Sequence, residues 1–236
     1  MRPALLVLHG VTMSGASMLR HLGPLRGALE AAGFDLIAPD GAHAMSDDEV
    51  ERLVGWLARP YGAFGQDPRD WFNAERFWEG GHYGWFDSET LPDGRKHYRA
   101  LEPGLENIRR ATEGRHVVGI LGFSQGCAMA AVVTGVALRS ARLPFGDTLR
   151  FGIYICGFKP GFDVPKLDLW PVGPLPALVL SGSEDPLFAD IQGVHDLAAV
   201  FTDPEVHRIE GLGHEVPHDP AWVARIADFA RAHAPG

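Results

Sequence analysis

Cysteine is almost missing from this chain. Cys127 and Cys156 are the only two, and neither sits in a C-x-x-C pair or a spaced Cys/His set. A disulfide scaffold and a structural zinc site therefore find no support, and both residues read as buried thiols. Runs of basic residues are absent too. The 21 Lys and Arg stand against 30 Asp and Glu, a formal net charge of −9, and a surface without clustered positive charge suits neither nucleic acid nor an anionic membrane as partner. No apolar stretch reaches the roughly 18 residues of a membrane-spanning helix. The apolar run at Ala4 to Leu8 is shorter than the ~7–15-residue core of a signal peptide, so the expected setting is cytoplasmic. Repeats, low-complexity tracts and linkers are also lacking, and residues 1–236 are expected to form one domain.

What is present has the pattern of a folded α/β protein. Hydrophobic residues make up 46% and charged residues 22%, which excludes disordered and fibrous classes. Short unbroken apolar runs at Ala4 to Leu8, Val117 to Leu121, Gly152 to Cys156 and Ala177 to Leu180 suit strands buried on both faces. Glu205 to Ile209 alternates and suits a less buried strand. Between them lie helical spacings. Met18, Leu22, Leu25 and Leu29 share one face ahead of Gly33. Ser46 and Glu49 form a capping box before Val50, Leu53, Val54 and Leu57. Gln125 to Leu138 is small or apolar almost throughout, and Ala189 to Phe201 and Ala221 to His233 complete the set. Strands alternating with helices imply a mostly parallel sheet covered on both faces.

The segment from Arg59 to Gly104 breaks that rhythm, with Trp71, Phe72, Phe77, Trp78, Tyr83, Trp85 and Phe86 among glycines and prolines. It reads as an insertion, either a lid that lines a pocket or a satellite cluster of rings under a loop.

Gly122-Phe123-Ser124-Gln125-Gly126 follows the apolar strand and opens the buried helix. This is G-x-S-x-G in a strand-turn-helix setting, where glycines permit a tight turn that exposes Ser124 as a nucleophile. An N-cap serine is the plainer alternative. In an α/β-hydrolase an acid and then a histidine follow the serine in the chain. Asp185 lies in the loop after Ala177 to Leu180, with Glu184 as its rival, and Pro186 holds Asp185 out of helical backbone.

The histidine is His214, inside a stretch that also spells H-E-x-x-H with Glu215 and His218. In a zinc protease both histidines of that string share one helix face. Gly213, Pro217 and Pro220 oppose a continuous helix here, so His214 reads as a general base and no metal is expected. The first strand ends in His9-Gly10-Val11, a turn that can aim a backbone N–H into the site. The oxyanion hole is assigned to the N–H groups of Val11 and Gln125. His9 serves either to hold that turn or as a plain buried histidine.

The residues Leu8-His9-Gly10, Trp85-Phe86, Gly122-Phe123-Ser124-Gln125-Gly126, Cys156-Gly157-Phe158-Lys159-Pro160, Gly182-Ser183-Glu184-Asp185 and Gly213-His214 together resemble the FSH family of serine hydrolases. These are of the fungal-esterase and ovarian-cancer-associated-esterase type within the α/β-hydrolases. The resemblance implies an α/β-hydrolase fold, a Ser-His-Asp triad at Ser124, His214 and Asp185, and hydrolysis of carboxylic esters or thioesters without a cofactor. Two features depart from the family pattern: a longer segment at Arg59 to Ser88, and Cys156 where serine is usual. The substrate is expected to be a small ester or thioester with an apolar acyl group, bound against Met13, Trp85 and Phe86. A non-catalytic binding protein on the same fold, or an acyltransferase using the same triad, are the alternatives. The sequence assigns no oligomeric state.

Overall fold

Unbroken apolar runs need cover on both faces, and the structure, a computed structural model, provides it. Residues 1–65, 67, 80–90, 96–159, 169–188 and 191–235 are described; Trp71, Phe72, Phe77 and Trp78 lie outside them. The first half of the chain forms β1 (Ala4–Leu8), α1 (Gly15–His21), α2 (Pro24–Ala31), β2 (Asp35–Ile37), β3 (His43–Ala44), α3 (Asp47–Ala63), β4 (Tyr83–Gly84), β5 (Asp87–Thr90) and β6 (Lys96–Arg99). The second half forms α4 (Leu101–Thr112), β7 (Val117–Phe123), α5 (Gln125–Arg139), β8 (Phe151–Ile155), β9 (Ala177–Gly182), α6 (Ile191–Ala198), β10 (Pro204–Ile209) and α7 (Pro220–His233).

Six strands make one sheet in the order β10-β9-β8-β7-β1-β2, every neighbouring pair parallel. Side chains alternate between its faces. Leu6, Leu8, Ile120, Tyr154 and Val179 meet α4, α5 and α6 on one face, while Leu5, Val7, Leu121, Ile153 and Leu178 meet α1, α2 and α7 on the other. Full burial of such side chains contributes about 1.5–3 kcal/mol each. Because all six strands run the same way, the loops after β1, β7, β9 and β10 leave one edge together. The order reverses at β1, and in open α/β sheets that switch point is where ligands bind. Among the described residues no helix is long and apolar enough to cross a membrane.

Three details differ from the sequence-based expectation. The helix expected through Met18 and Leu29 is two helices, because Gly23 takes φ 52° and Pro24 opens α2 at its first turn. Helix α3 does not stop at Arg59 but runs through Pro60 to Ala63. The N–H that Pro60 lacks would have met the carbonyl of Trp56, a residue exposed to water, so the loss is tolerable there. The segment expected to be irregular up to Gly104 already turns helical at Leu101, whose spacing with Leu105, Ile108 and Thr112 buries one face of α4.

Glycines give a test of the packing. A Cβ on Gly126 would lie 2.3 Å from the carbonyl oxygens of both Leu8 and His9, whereas one on exposed Gly27 in α2 would meet nothing within 4 Å. Gly126→Ala is expected to cost about 3 kcal/mol or more, and Gly27→Ala to stabilise by about 0.5–1 kcal/mol through helix propensity. Urea unfolding of the two variants checks both signs.

Candidate active site

Strand β7 ends at Phe123, and Ser124 follows at φ 55° and ψ −121°, a conformation that costs a non-glycine residue about 1–3 kcal/mol. Surrounding contacts over-determine it. The Ser124 N–H donates to the Ile155 carbonyl at 3.0 Å. Gly122 packs where a Cβ would lie 2.4 Å from the Gly126 carbonyl oxygen. Ser124 thus stands at the head of α5 with its side chain turned toward a cavity.

His214 and Asp185 arrive from the loops after β10 and β9. His214 Nε2 is 2.9 Å from Ser124 Oγ, and its Nδ1 is 2.8 Å from Asp185 Oδ2. The other carboxylate oxygen, Oδ1, accepts from the N–H groups of Leu187 at 2.8 Å and Phe188 at 3.0 Å. Burial alone would raise the Asp185 pKa, but its interaction with His214 and these hydrogen bonds bring it below its ordinary value. An ionised carboxylate can only accept, so His214 carries its proton on Nδ1 and presents Nε2 as an acceptor to the serine hydroxyl. Phe123 and Phe188 hold the imidazole at centroid distances of 5.1 and 5.5 Å. Glu184, the rival acid, is exposed.

The turn after β1 completes the floor. Thr12 takes φ 69°, its N–H donates to the Tyr83 carbonyl, and the Met13 N–H donates back to Gly10. Val11 N–H has no acceptor among the described residues, and Gln125 N–H is one of the unpaired donors that open a helix. Both residues line the cavity. His9 lies beneath this turn, fully buried, with Nδ1–H donating to the Gly10 carbonyl at 2.7 Å and Nε2 accepting from Gly41 N–H at 2.9 Å. Both nitrogens are spent on backbone.

The cavity has a volume of about 630 Å³, within the range of small-molecule sites. Met13 and Phe86 stand on its wall, but Trp85, expected there with them, does not. Trp85 is wholly buried under the turn: Nε1–H donates to the His9 carbonyl at 2.8 Å and the ring packs on the His9 imidazole at 4.8 Å. An indole with a polar edge can satisfy a buried carbonyl, and that use overrides a role at the surface of a pocket.

Sequence reasoning missed three contributors. Gln125 does more than offer its backbone: its side chain accepts from Trp85 N–H at 2.8 Å and donates to the Phe86 carbonyl at 2.9 Å, clipping the inserted segment to the head of α5. Helix α3 lines the cavity with Leu53, Leu57 and Tyr61; its spacing was visible, its position was not. Cys156, at φ 47°, points its thiol at the carbonyls of Gly213 and Glu215 behind the Asp185–His214 pair.

Cys156, Asp185 and His214 are also the one group of three metal-ligating side chains found among the described residues. Their donor atoms are already engaged by Ser124, Leu187, Phe188 and one another, and burial holds the thiol in its protonated form. The H-E-x-x-H string forms a bend and not a helix, and His218 Nε2–H donates to the His21 carbonyl at 2.9 Å. A zinc-protease arrangement has no basis in that geometry.

A serine, a histidine and an aspartate at the carboxyl edge of a covered parallel sheet define an α/β-hydrolase fold. Sequence comparison gives the family: residues 1–226 match the family described as Serine hydrolase (FSH1), and the chain belongs to it. It is 25% identical to Esterase OVCA2 of Danio rerio over 239 residues, 96% of either chain. It is 23% identical to Family of serine hydrolases 2 of Saccharomyces cerevisiae over 233 residues, 95% of this chain and 96% of that one. Among solved structures, acyl-protein thioesterase 2 of Zea mays superposes with a TM-score of 0.56 at 16% identity, covering 98% of this chain and 94% of that chain.

His9 makes the stability of the fold depend on pH. Burial lowers its pKa from 6.5 to about 4, against the opposing pull of the Gly10 carbonyl and the Asp40 charge. The folded value lies below the unfolded one, so unfolding takes up a proton in that interval; the neutral ring stabilises fully above pH 6.5 and loses its contribution as pH falls toward 4. His9→Asn keeps a donor and an acceptor but cannot titrate. The stability gap between wild type and this variant, read by urea unfolding, is expected to be about 2 kcal/mol smaller at pH 5 than at pH 7. A constant gap would show that His9 does not titrate between the two states.

Proposed function

We propose that this enzyme hydrolyses carboxylic esters or thioesters through an acyl-enzyme on Ser124. The observation that carries the proposal is the unbroken hydrogen-bonded line from Ser124 Oγ through His214 to Asp185. His214 Nε2 takes the hydroxyl proton as Oγ forms a bond to the carbonyl carbon, and the N–H groups of Val11 and Gln125 receive the developing oxyanion. The tetrahedral intermediate collapses when the bond to the alcohol or thiol breaks and the imidazolium gives that leaving group its proton. Water then repeats the sequence: His214 deprotonates it, the acyl carbon passes to the hydroxide oxygen, and Ser124 recovers its proton as the acid leaves. Asp185 fixes the imidazole tautomer and balances its charge.

No cofactor enters this cycle. Met13 and Phe86, with Leu53 and Leu57 of α3, offer an apolar bed for the acyl group. The esterase and thioesterase names of the similar proteins support the substrate class. The proposal places the enzyme in the cytoplasm, where its two buried free thiols stay reduced.

A fluorophosphonate probe, with and without prior chelator, is expected to label Ser124 in both cases, located by peptide mass spectrometry. Ser124→Ala is expected to lower kcat on a p-nitrophenyl ester by about 10⁴-fold or more, and Asp185→Asn by about 10⁴-fold through the wrong imidazole tautomer. Chelator-sensitive turnover that survives Ser124→Ala would sink the assignment.

A further inference from the structure

We propose that Arg52 selects substrates that carry an anionic group at the far end of an apolar chain, remote from the scissile bond. This rests on the reading of the cavity as an ester- or thioester-hydrolysing site. Helix α3 supplies one wall of that cavity with Glu49, Arg52, Leu53, Trp56, Leu57 and Tyr61, a single face of the helix. Its C-terminal end meets the reacting groups, for buried Tyr61 lines the cavity with Ser124 and His214 and lies near enough to Asp185 to feel its charge. Arg52 lies about two and a half turns earlier, or about 13 Å along the axis at the α-helical rise.

The charged groups on this wall are not equivalent. Glu49 Oε2 accepts from Ser46 N–H at 2.8 Å and Ser46 Oγ–H at 2.9 Å, while Oε1 lies 3.2 Å from His43 Nε2. These partners hold its carboxyl below the ordinary range. Asp87 is likewise engaged. Arg52, on the cavity wall, has no hydrogen bond or ion pair among the described residues, so its full guanidinium fork is free to take a partner. That fork matches a carboxylate or a phosphate in geometry and charge.

Leu53 and Leu57 lie between Arg52 and Tyr61 on α3, and Phe86 and Met13 add apolar surface to the same cavity. Trp56, 66% exposed, extends this surface to the cavity mouth. A ligand complementary to this wall has an ester or thioester at one end, a hydrocarbon stretch, and an anion at the other. The overall charge of −9 repels anions at long range, but at physiological salt charges beyond about 8 Å are largely screened, and contact with Arg52 falls inside that distance. The anion could be a carboxylate on the acyl group or a phosphate on the leaving group; the recognising chemistry is the same.

The test uses matched pairs. p-Nitrophenyl half-esters of adipic, suberic and sebacic acids are compared with neutral p-nitrophenyl esters of equal chain length, and octanoyl-4′-phosphopantetheine with octanoyl-pantetheine, which lacks only the phosphate. The expected result is an anionic-to-neutral ratio of kcat/KM that falls about tenfold in Arg52→Gln, mostly through KM, and is largely restored in Arg52→Lys. A fall confined to the half-esters puts the anion on the acyl side, and one confined to the phosphopantetheine thioester puts it on the leaving group. Ratios equal in wild type and Arg52→Gln for every pair overturn the proposal while leaving ester hydrolysis standing. Calorimetry with suberic acid monoamide, which has no ester to cleave, reads the anion site even if no ester is turned over. Binding that weakens in Arg52→Gln supports the site; binding that is indifferent to the change, or undetectable, overturns it.

Discussion

The site depends on how closely the first turn of α5 approaches the end of β1. At Gly126 the helix backbone lies so near the carbonyls of Leu8 and His9 that a methyl group would not fit. This contact sets the turn after β1 beside the turn after β7, and so brings Val11 N–H and Gln125 N–H to one cavity. The oxyanion site proposed for these two backbone donors, from chain positions so far apart, can be no more precise than the packing between them. Donors fixed by backbone need no reorganisation as charge develops, which is why such packing suits electrostatic stabilisation better than mobile side chains would.

Close backbone approach creates its own problem, since it buries carbonyl and N–H groups away from water. The region around His9 resolves it with side chains. The His9 ring satisfies the Gly10 carbonyl and the Gly41 N–H, the Trp85 indole satisfies the His9 carbonyl, and the Gln125 amide satisfies Trp85 N–H and the Phe86 carbonyl. Together these bonds join β1, the loop before β3, the segment after β4 and the head of α5. Removing one partner strands a buried polar group at about 1–3 kcal/mol. The arrangement also explains why His9 is kept neutral: both nitrogens serve backbone groups, one as donor and one as acceptor, and a second proton would end the bond to Gly41.

The legibility of the sequence followed the range of the interactions. The β1, β7, β8 and β9 strands were readable because burial on both faces writes an unbroken apolar run into each, and β10 through the alternation of a partly exposed strand. Ser124 with its glycines was readable because a strained turn restricts residue type within five positions. Asp185 and His214 could be named from chain order and loop context. What the sequence could not show was which ring faces which way. Trp85 and Phe86 are neighbours of similar composition, yet alternation along the chain sends one under the His9 turn and the other into the cavity. Nor could it show that α3 walls the site, because an amphipathic pattern says that a face is covered and not by what. The break at Gly23-Pro24 carried a visible signal in the proline, which the regular spacing of Met18, Leu22, Leu25 and Leu29 outweighed.

The electrostatics of the three residues follow from unequal burial. Asp185 is sealed at the bottom, and without compensation a carboxylate there would bind a proton; two backbone N–H groups and His214 keep it ionised. His214 and Ser124 keep slight exposure at 6% and 7%, enough to face the cavity and too little to be solvated in bulk. Cys156 fills the space behind the pair with a thiol that burial keeps neutral. A group that ionised easily at that position would set a second negative charge beside Asp185, and the pair would then share a proton that the imidazole needs to be free of. A protonated thiol instead donates weakly to the carbonyls of the His214 loop and adds no charge. The position therefore suits a small donor that stays neutral, and would not tolerate an acid.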